Sequence, residues 1–262
     1  MSTELSPFHN TMLGSFGSTV EVFIQHPLLT HKNSIQSNYQ IRCNLNTMYR
    51  GVGINALTMG PLTSIQFAGF GLLYNFLHKN NVCQNDYTRS IISSTSAGAL
   101  SGFIASPTEL LIVQQQKYNR SFIKSYFHIK HIYGYKCFSK GLFPCIFRES
   151  AYVAGYCTLT PFFEKKLITY MPKYFKKKTV KTSLTASIIA GVIAGGASHP
   201  FDTIKTYSQL HIDTNSTTLT KNILKKEGIS FLFKGIIPRS LRIAGTFFIL
   251  NECQKIYKTI MF

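Results

Sequence analysis

Three long stretches of this 262-residue chain contain no Asp, Glu, Lys or Arg: Val52 to Leu77, Ser90 to Thr108 and Thr182 to Phe201. A helix needs about 20 residues to cross the hydrocarbon core of a bilayer. Each of the three stretches meets that length. The sequence therefore predicts a membrane protein and argues against an ordinary soluble one.

The charge of the chain is concentrated between the uncharged stretches. With 28 Lys and Arg against 10 Asp and Glu, the net charge is +18. One cluster comprises Lys173, Lys176, Lys177, Lys178 and Lys181. This pattern is typical of loops and helix ends that face anionic lipid headgroups. No recognition helix or ribonucleoprotein motif accompanies it, so we expect no nucleic-acid partner.

The chain shows no catalytic, metal-binding or cofactor-binding motif. Its six cysteines never approach the spacing of a zinc pair, and the eight histidines form no metal-ligand pair on a helix face. Walker, HExxH and Gly-x-Ser-x-Gly patterns are missing. The start of the chain resembles neither a signal peptide nor a transit peptide, so any import signal is expected to be internal. We expect reduced thiols, no metal, no cofactor and no enzymatic activity.

An internal triplication organises the sequence around Pro27, Pro107 and Pro200. A glutamine stands nine residues after each proline, at Gln36, Gln116 and Gln209. Upstream of the second and third prolines are the pairs Gly98/Gly102 and Gly191/Gly195, whose spacing allows close helix contact in lipid. The first copy is looser, with Gly14, Gly17 and Ser18. The pattern predicts one domain of three repeats, at about 1–82, 83–176 and 177–262.

A second marker, an aromatic and a basic residue before a glycine, follows each proline. The glycines are Gly51, Gly141 and Gly235, and an apolar stretch begins after each of them. Three repeats of two apolar stretches predict six transmembrane helices in an all-α bundle. Their approximate spans are 8–31, 52–78, 88–117, 142–168, 182–210 and 236–258. A proline late in the first, third and fifth helices is expected to kink each of them.

Over nearly its whole length the chain resembles the mitochondrial carrier family, whose motif is Pro-x-[Asp/Glu]-x-x-[Lys/Arg] followed by aromatic-[Lys/Arg]-Gly in three copies. The third copy matches best, with Pro200, Asp202, Lys205 and then Phe233 to Gly235. The resemblance implies a multi-pass protein of the mitochondrial inner membrane with threefold pseudosymmetry. It implies solute transport by alternating access, with cardiolipin bound near Gly51, Gly141 and Gly235.

The resemblance also assigns a matrix-side gate to the motif residues. Glu109 would pair with Lys205, and Asp202 with Lys32. The third contact would join Leu29 and Ile112, so an apolar pair replaces an ionic one and no charge is left uncompensated. Gln36, Gln116 and Gln209 match the family's bracing position beneath this gate.

The opposite gate of the family, [Phe/Tyr]-[Asp/Glu]-x-x-[Lys/Arg], is poorly matched. Phe163 and Glu164 come later than the repeat spacing predicts, whereas Glu252 and Lys255 come slightly early. The connection from Pro27 to Gly51 is also about ten residues shorter than the corresponding connections of the second and third repeats, and the inner motif is incomplete. These features support an alternative interpretation. The chain would then be a carrier-fold structural subunit of a larger inner-membrane (respiratory) complex and would not transport.

The repeat also predicts a solute site at mid-membrane. Seven residues after the marker glycines stand Thr58, Arg148 and Arg242, about 10 Å into each helix. Glu149 follows Arg148, and the same faces continue through Leu62, Gln66 and Tyr152.

Arginines there suit carboxylates or phosphates. The Arg148–Glu149 pair is similar to that of family members carrying amino acids or cations derived from them, and two arginines also suit a di- or tricarboxylate. The alternative is an internal salt bridge. Arg239 is a weaker candidate because it lies nearer the helix start. For Glu21, packing is favoured over solute contact.

Overall fold

The computed structural model of the chain describes residues 7–37, 48–49, 52–82, 84–118, 121–177 and 179–261. Within these ranges all regular structure is helical, so the predicted all-α class is confirmed. Five long helices are uninterrupted: α1 (Pro7–Ser37), α2 (Val52–Lys79), α3 (Asp86–Tyr118), α7 (Val180–Leu210) and α9 (Ile236–Met261). The remaining long helix, fourth along the chain, consists of α5 (Leu142–Ala154), a π-helical turn (Gly155–Leu159) and α6 (Thr160–Tyr170).

Two short helices connect the long ones within the second and third repeats. They are α4 (Phe122–Tyr133) and α8 (Ser216–Glu227), and each is followed by a 3-10 turn, at Tyr135–Ser139 and Ile229–Phe233. Both helices end at a glycine with positive φ, Gly134 at 69° and Gly228 at 73°. Glycine adopts this conformation without a Cβ penalty, which explains why the chain can turn there.

The glycine of the aromatic-basic-glycine marker also has a local structural role. Gly141 has φ of 76° and Gly235 has φ of 84°, and each immediately precedes a long helix. An L side chain rarely adopts this backbone conformation. The marker therefore identifies the turn from a 3-10 segment into the next long helix. Gly51, the third glycine of the marker, lies outside the described residues.

The six long helices form a closed ring in chain order. Each long helix packs against the next one, and α9 returns to pack against α1. Glycines permit the closest contacts within each hairpin, which is the pair of long helices of one repeat. A Cβ on Gly98 would lie 2.6 Å from the carbonyl oxygen of Glu149, and one on Gly191 would lie 2.6 Å from the Cα of Ala244. Gly14 faces the backbone of Ser64 in the first hairpin, so all three hairpins use small residues at their contact.

The fifth long helix contacts two other odd-numbered helices across the ring: α3 packs against α7, and α1 packs against α7. Pro27, Pro107 and Pro200 all lie inside their helices, which continue on both sides. The kinks expected at these prolines stay a prediction.

Three described helices are long and apolar enough to cross a membrane: Asn55–Lys79, Asp86–Gln115 and Val180–Leu210. That all six long helices do so remains a prediction. The distribution of side chains fits a bilayer, because large apolar residues such as Leu57, Phe143 and Ile237 are more than three-quarters exposed on the outside. By contrast, several charged residues, among them Glu109, Asp202 and Lys205, are buried inside the ring.

Candidate solute-binding site

A central cavity lies inside the ring and receives side chains from all six long helices. Its empty volume is about 1030 Å³, part of it continuous with open solvent. The lining comprises Ser18, Glu21, Leu29, Asn55, Met59, Leu62, Thr63, Gln66, Glu109, Ile112, Val113, Arg148, Glu149, Tyr152, Asp202, Lys205, Thr206, Arg239, Arg242, Ile243, Thr246 and Leu250. The cavity is thus strongly charged, whereas the outer surface of the ring is apolar.

Glu109 is the centre of the ion network at one end of the cavity. Its carboxylate lies 2.5 Å from Nζ of Lys205 and 2.7 Å from a guanidinium nitrogen of Arg148. Lys205 is the partner that the carrier motif assigned to Glu109. The carboxylate of Glu109 therefore joins α3, α5 and α7, and Glu109 is buried.

Asp202 shares this network. It lies 3.6 Å from Arg148 and 3.7 Å from Arg239. Arg239 also donates a 2.7 Å hydrogen bond to the hydroxyl of Ser198. The side chain of Lys32, the partner expected for Asp202, lies outside the described residues. Arg239, the weaker candidate because it lies nearer the helix start, is buried and lines the cavity.

Glu149 extends the ion network to the amide of Gln66. It pairs with Arg148 and accepts a 2.8 Å hydrogen bond from the amide of Gln66. That amide also donates to the hydroxyl of Ser101 over 3.0 Å. The internal Arg–Glu salt bridge, one of the two interpretations open at the sequence level, is therefore formed. Both partners still line the cavity.

A second, smaller cluster joins the first and sixth long helices. Glu21 lies 3.2 Å from a guanidinium nitrogen of Arg242 and accepts a 2.8 Å hydrogen bond from the hydroxyl of Thr246. The side chain of Arg242 is 21% exposed, against 11% for Arg148. Packing was favoured for Glu21 over solute contact; the structure shows its contact between helices, and Glu21 also lines the cavity.

The remaining predicted solute residues divide according to helix phase. Leu62, Gln66 and Tyr152 line the cavity. Thr58 does not, and its hydroxyl donates instead to the carbonyl of Asn55 in its own helix. The next residue, Met59, takes its place on the lining. One residue is about 100° of helix rotation, so a one-residue offset between repeats moves a side chain off the lining.

The predicted gate and brace positions are only partly described. Leu29 and Ile112 both line the cavity. Gln209 is fully buried, and its amide donates to the carbonyls of Ser106 (3.1 Å) and Lys140 (3.4 Å), which ties α7 to the second repeat. The side chains of Gln36 and Gln116 lie outside the described residues.

Three aromatic rings, one from each repeat, meet beside the cavity. The ring of Phe67 lies 5.3 Å from that of Tyr156, which lies 5.8 Å from that of Phe247. All three side chains are buried. They come from the second, fourth and sixth long helices, so the even-numbered helices are joined by apolar contacts at this level.

A change of helix geometry precedes Glu164 in the fourth long helix. The π-helical turn at Gly155–Leu159 precedes it, and the amide of Thr160 donates to the carbonyl of Gly155. A π turn inserts an extra residue into a helix. Glu164 lies 3.6 Å from Nζ of Lys255 and accepts a 2.9 Å hydrogen bond from Asn251. The sequence spacing alone could not reveal this contact between the fourth and sixth long helices.

No group of His, Cys, Asp and Glu suited to a metal ion occurs in the described part of the chain.

The sequence of the chain is similar to those of known mitochondrial carrier proteins. The sequence model described as "Mitochondrial carrier protein" matches residues 176–261. The carnitine/acylcarnitine carrier protein of Mus musculus is 24% identical, over 88% of this chain and 87% of that protein. The tricarboxylate transport protein of Saccharomyces cerevisiae is 24% identical, over 92% of this chain and 91% of that protein. The 2-oxodicarboxylate carrier 1 of the same yeast is 27% identical, over 75% and 66%.

The low identities over most of the chain agree with the departures from the repeated motif at Leu29 and Ile112. The relatives are transporters of small solutes. The match of the third repeat and the low-identity relatives are consistent with a divergent member of the mitochondrial carrier family, whose members are multi-pass proteins of the mitochondrial inner membrane.

Proposed function

We propose that the chain transports a small carboxylate or amino-acid-type metabolite across the inner membrane by alternating access around the central cavity. The observation that carries this proposal is the double engagement of Arg148. Its guanidinium contacts Glu149 in the middle of the cavity and Glu109 in the ion network that joins α3, α5 and α7. A residue at the solute level is thus bonded directly to the gate.

This arrangement supplies a route from solute binding to opening. A solute carboxylate that binds Arg148 competes with Glu109 for the same guanidinium nitrogens. Weakening of the Arg148–Glu109 contact leaves Lys205 as the remaining described cationic partner of Glu109. A ligand shifts such an equilibrium only if it binds the two states differently. Competition for Arg148 provides that difference if opening of the ion network separates Arg148 from Glu109.

Each predicted solute residue has a distinct role in the proposal. Arg148 and Arg242 bind the anionic end of the solute. Glu149 accepts a cationic group or balances Arg148, and Gln66 holds Glu149 in place through its amide. Leu62 and Tyr152 supply apolar contact along the same wall. Thr58 has no role in this scheme because its side chain does not line the cavity.

The names of the relatives agree with this range of solutes. They include carriers of carnitine and acylcarnitine, of tricarboxylates and of 2-oxodicarboxylates. Every one of these solutes carries a carboxylate, and carnitine carries a quaternary ammonium as well. A cavity lined by both arginine and glutamate fits that shared chemistry.

We further propose that cardiolipin binds at the starts of α5 and α9, beside Gly141 and Gly235. Unpaired amide groups in the first turn of a helix attract phosphate. The ammonium of Lys140 is directed to the backbone carbonyls of Ile212 and Thr214. Contact with the headgroup would therefore rest on backbone donors. Native mass spectrometry of the purified chain with added cardiolipin tests this part of the proposal.

Reconstitution in liposomes tests transport. The purified chain should take up a labelled amino acid, carnitine or carboxylate, and Arg148→Ala and Arg242→Ala should each abolish the uptake. Lys225→Ala, an exposed residue of α8, is the matched control and should leave uptake unchanged. If every solute fails while the chain co-purifies in fixed stoichiometry with a larger respiratory complex, the transport proposal is wrong and the structural-subunit interpretation holds.

A further inference from the structure

Glu21 is a carboxylate inside the first long helix that belongs to neither the proline motif nor the glycine marker. Its side chain is 7% exposed and lines the central cavity. Arg242 and Thr246 both approach it from α9, at 3.2 and 2.8 Å. A charge within a membrane helix is costly and usually faces a cavity, a partner or both. Glu21 faces both.

Glu21 completes the charge balance of the described lining. Four acidic side chains line the cavity, Glu21, Glu109, Glu149 and Asp202. Four basic ones face them, Arg148, Lys205, Arg239 and Arg242. Each of the bases lies within 4 Å of at least one of the acids. The described lining therefore has no surplus positive charge for a solute with several negative charges.

Arg242 is the base that a solute reaches most easily. Its side chain is 21% exposed, whereas those of Arg148, Lys205 and Arg239 are 11%, 5% and 5% exposed. A carboxylate that binds Arg242 competes with Glu21. A displaced Glu21 would be an uncompensated charge in a restricted site, which is strongly unfavourable. A solute that also carries a cationic nitrogen removes this penalty, since the nitrogen can pair with Glu21.

We propose that Glu21 determines the charge selectivity of the site: it favours solutes that carry one carboxylate and one cationic nitrogen over polycarboxylates. This inference rests on the proposed transport function and names the charge class of its solute. Glu21 acts on the solute together with Arg242, so the two residues recognise opposite ends of one small molecule.

Uptake competition in liposomes tests the assignment. The wild-type chain should take up carnitine or glutamine, and citrate should compete about 10-fold less well. In Glu21→Gln the lining gains one positive charge, so the preference should shift towards citrate by about 10-fold. Glu21→Asp keeps the charge and should keep the wild-type preference, which separates charge from folding. Glu227→Gln, exposed at the end of α8, removes a carboxylate outside the cavity and should change nothing.

Thermal shift of the purified chain separates failure of this assignment from failure of transport. If no solute enters liposomes but carnitine or glutamine stabilises the wild type and not Glu21→Gln, transport is wrong and the role of Glu21 stands. A wild-type preference for citrate, an unchanged preference in Glu21→Gln, or no ligand-dependent shift with any of these solutes overturns the role of Glu21.

Discussion

The guanidinium of Arg148 donates to the carboxylate of Glu109 over 2.7 Å, across the contact between α5 and α3. The sequence assigned these two residues to different tasks, solute binding and gating. Their bond makes the two tasks parts of one network, which also includes Lys205 and Asp202. A substitution of Arg148 or of Glu109 should therefore affect both solute binding and the ion pairs of the network.

The Glu109–Lys205 pair should contribute to the stability of the closed ring. Lys205→Met removes one cation from Glu109 at a site where both side chains are at most 10% exposed. Breaking a buried pair costs about 3–5 kcal/mol. We expect the unfolding temperature of Lys205→Met to fall, and the double variant Lys205→Met with Glu109→Gln to recover part of the loss. Denaturation of the purified protein in detergent measures both.

Lys225→Met is the control for that series, because it removes an exposed lysine of α8 that faces no buried acid in the described structure. Its unfolding temperature should match the wild type. Glu109→Gln and Lys205→Met should also be measured singly. If their losses of stability simply add in the double variant, the two residues do not interact, contrary to the 2.5 Å contact.

Gly191 and Gly196 provide a matched pair within α7. A Cβ on Gly191 would lie 2.6 Å from the Cα of Ala244, so Gly191→Ala must separate α7 from α9. We expect a loss of about 1–3 kcal/mol in the free energy of unfolding. A Cβ on Gly196 meets nothing within 4 Å. Gly196→Ala should be neutral or stabilise the helix by up to about 1 kcal/mol. Equal destabilisation by the two substitutions would contradict this packing.

These contacts show how far a repeat can be interpreted from sequence. The Gly98/Gly102 and Gly191/Gly195 pairs predicted close helix contacts, and the structure places Gly98 and Gly191 against the facing helix. Such contacts follow from spacing within one helix, which an α-helix fixes at about 1.5 Å per residue. The order of the helices and their approximate bounds are of the same kind, whereas the Glu109–Lys205 pairing was implied by the resemblance to the mitochondrial carrier family.

Features that depend on helix phase or on distant partners were not accessible in this way. The π turn at Gly155–Leu159 adds a residue to the fourth long helix ahead of Glu164, and Glu164 contacts Asn251, which is far away in the sequence. Thr58 was one residue away from the cavity-lining position of Met59. Glu21 has no counterpart in the motif, and its role depends on Arg242, more than 200 residues away. Only the assembled ring brings these groups together.

The aromatic contact between the even-numbered helices should depend on Phe247. Phe247 is fully buried between Tyr152 and Tyr156, with ring centroids 5.4 and 5.8 Å away. Phe247→Ala removes that packing and should cost about 3–5 kcal/mol of stability. Phe248→Ala is the matched control, because the ring of Phe248, the next residue in the chain, is only half-buried. It should cost clearly less in the same thermal unfolding assay, and an equal cost would argue against a special role for Phe247.

The central claim is that the cavity binds a solute through Arg242 and carries it across the membrane. The most direct measurement is the initial rate of solute uptake into liposomes, normalised to folded protein, for the wild type and Arg242→Ala. We predict uptake by the wild type and a fall of about 100-fold in Arg242→Ala, since a charged contact of about 3 kcal/mol is lost. Unchanged uptake in Arg242→Ala, or no uptake by a folded wild-type chain for any amino acid, carnitine or carboxylate, would contradict the claim.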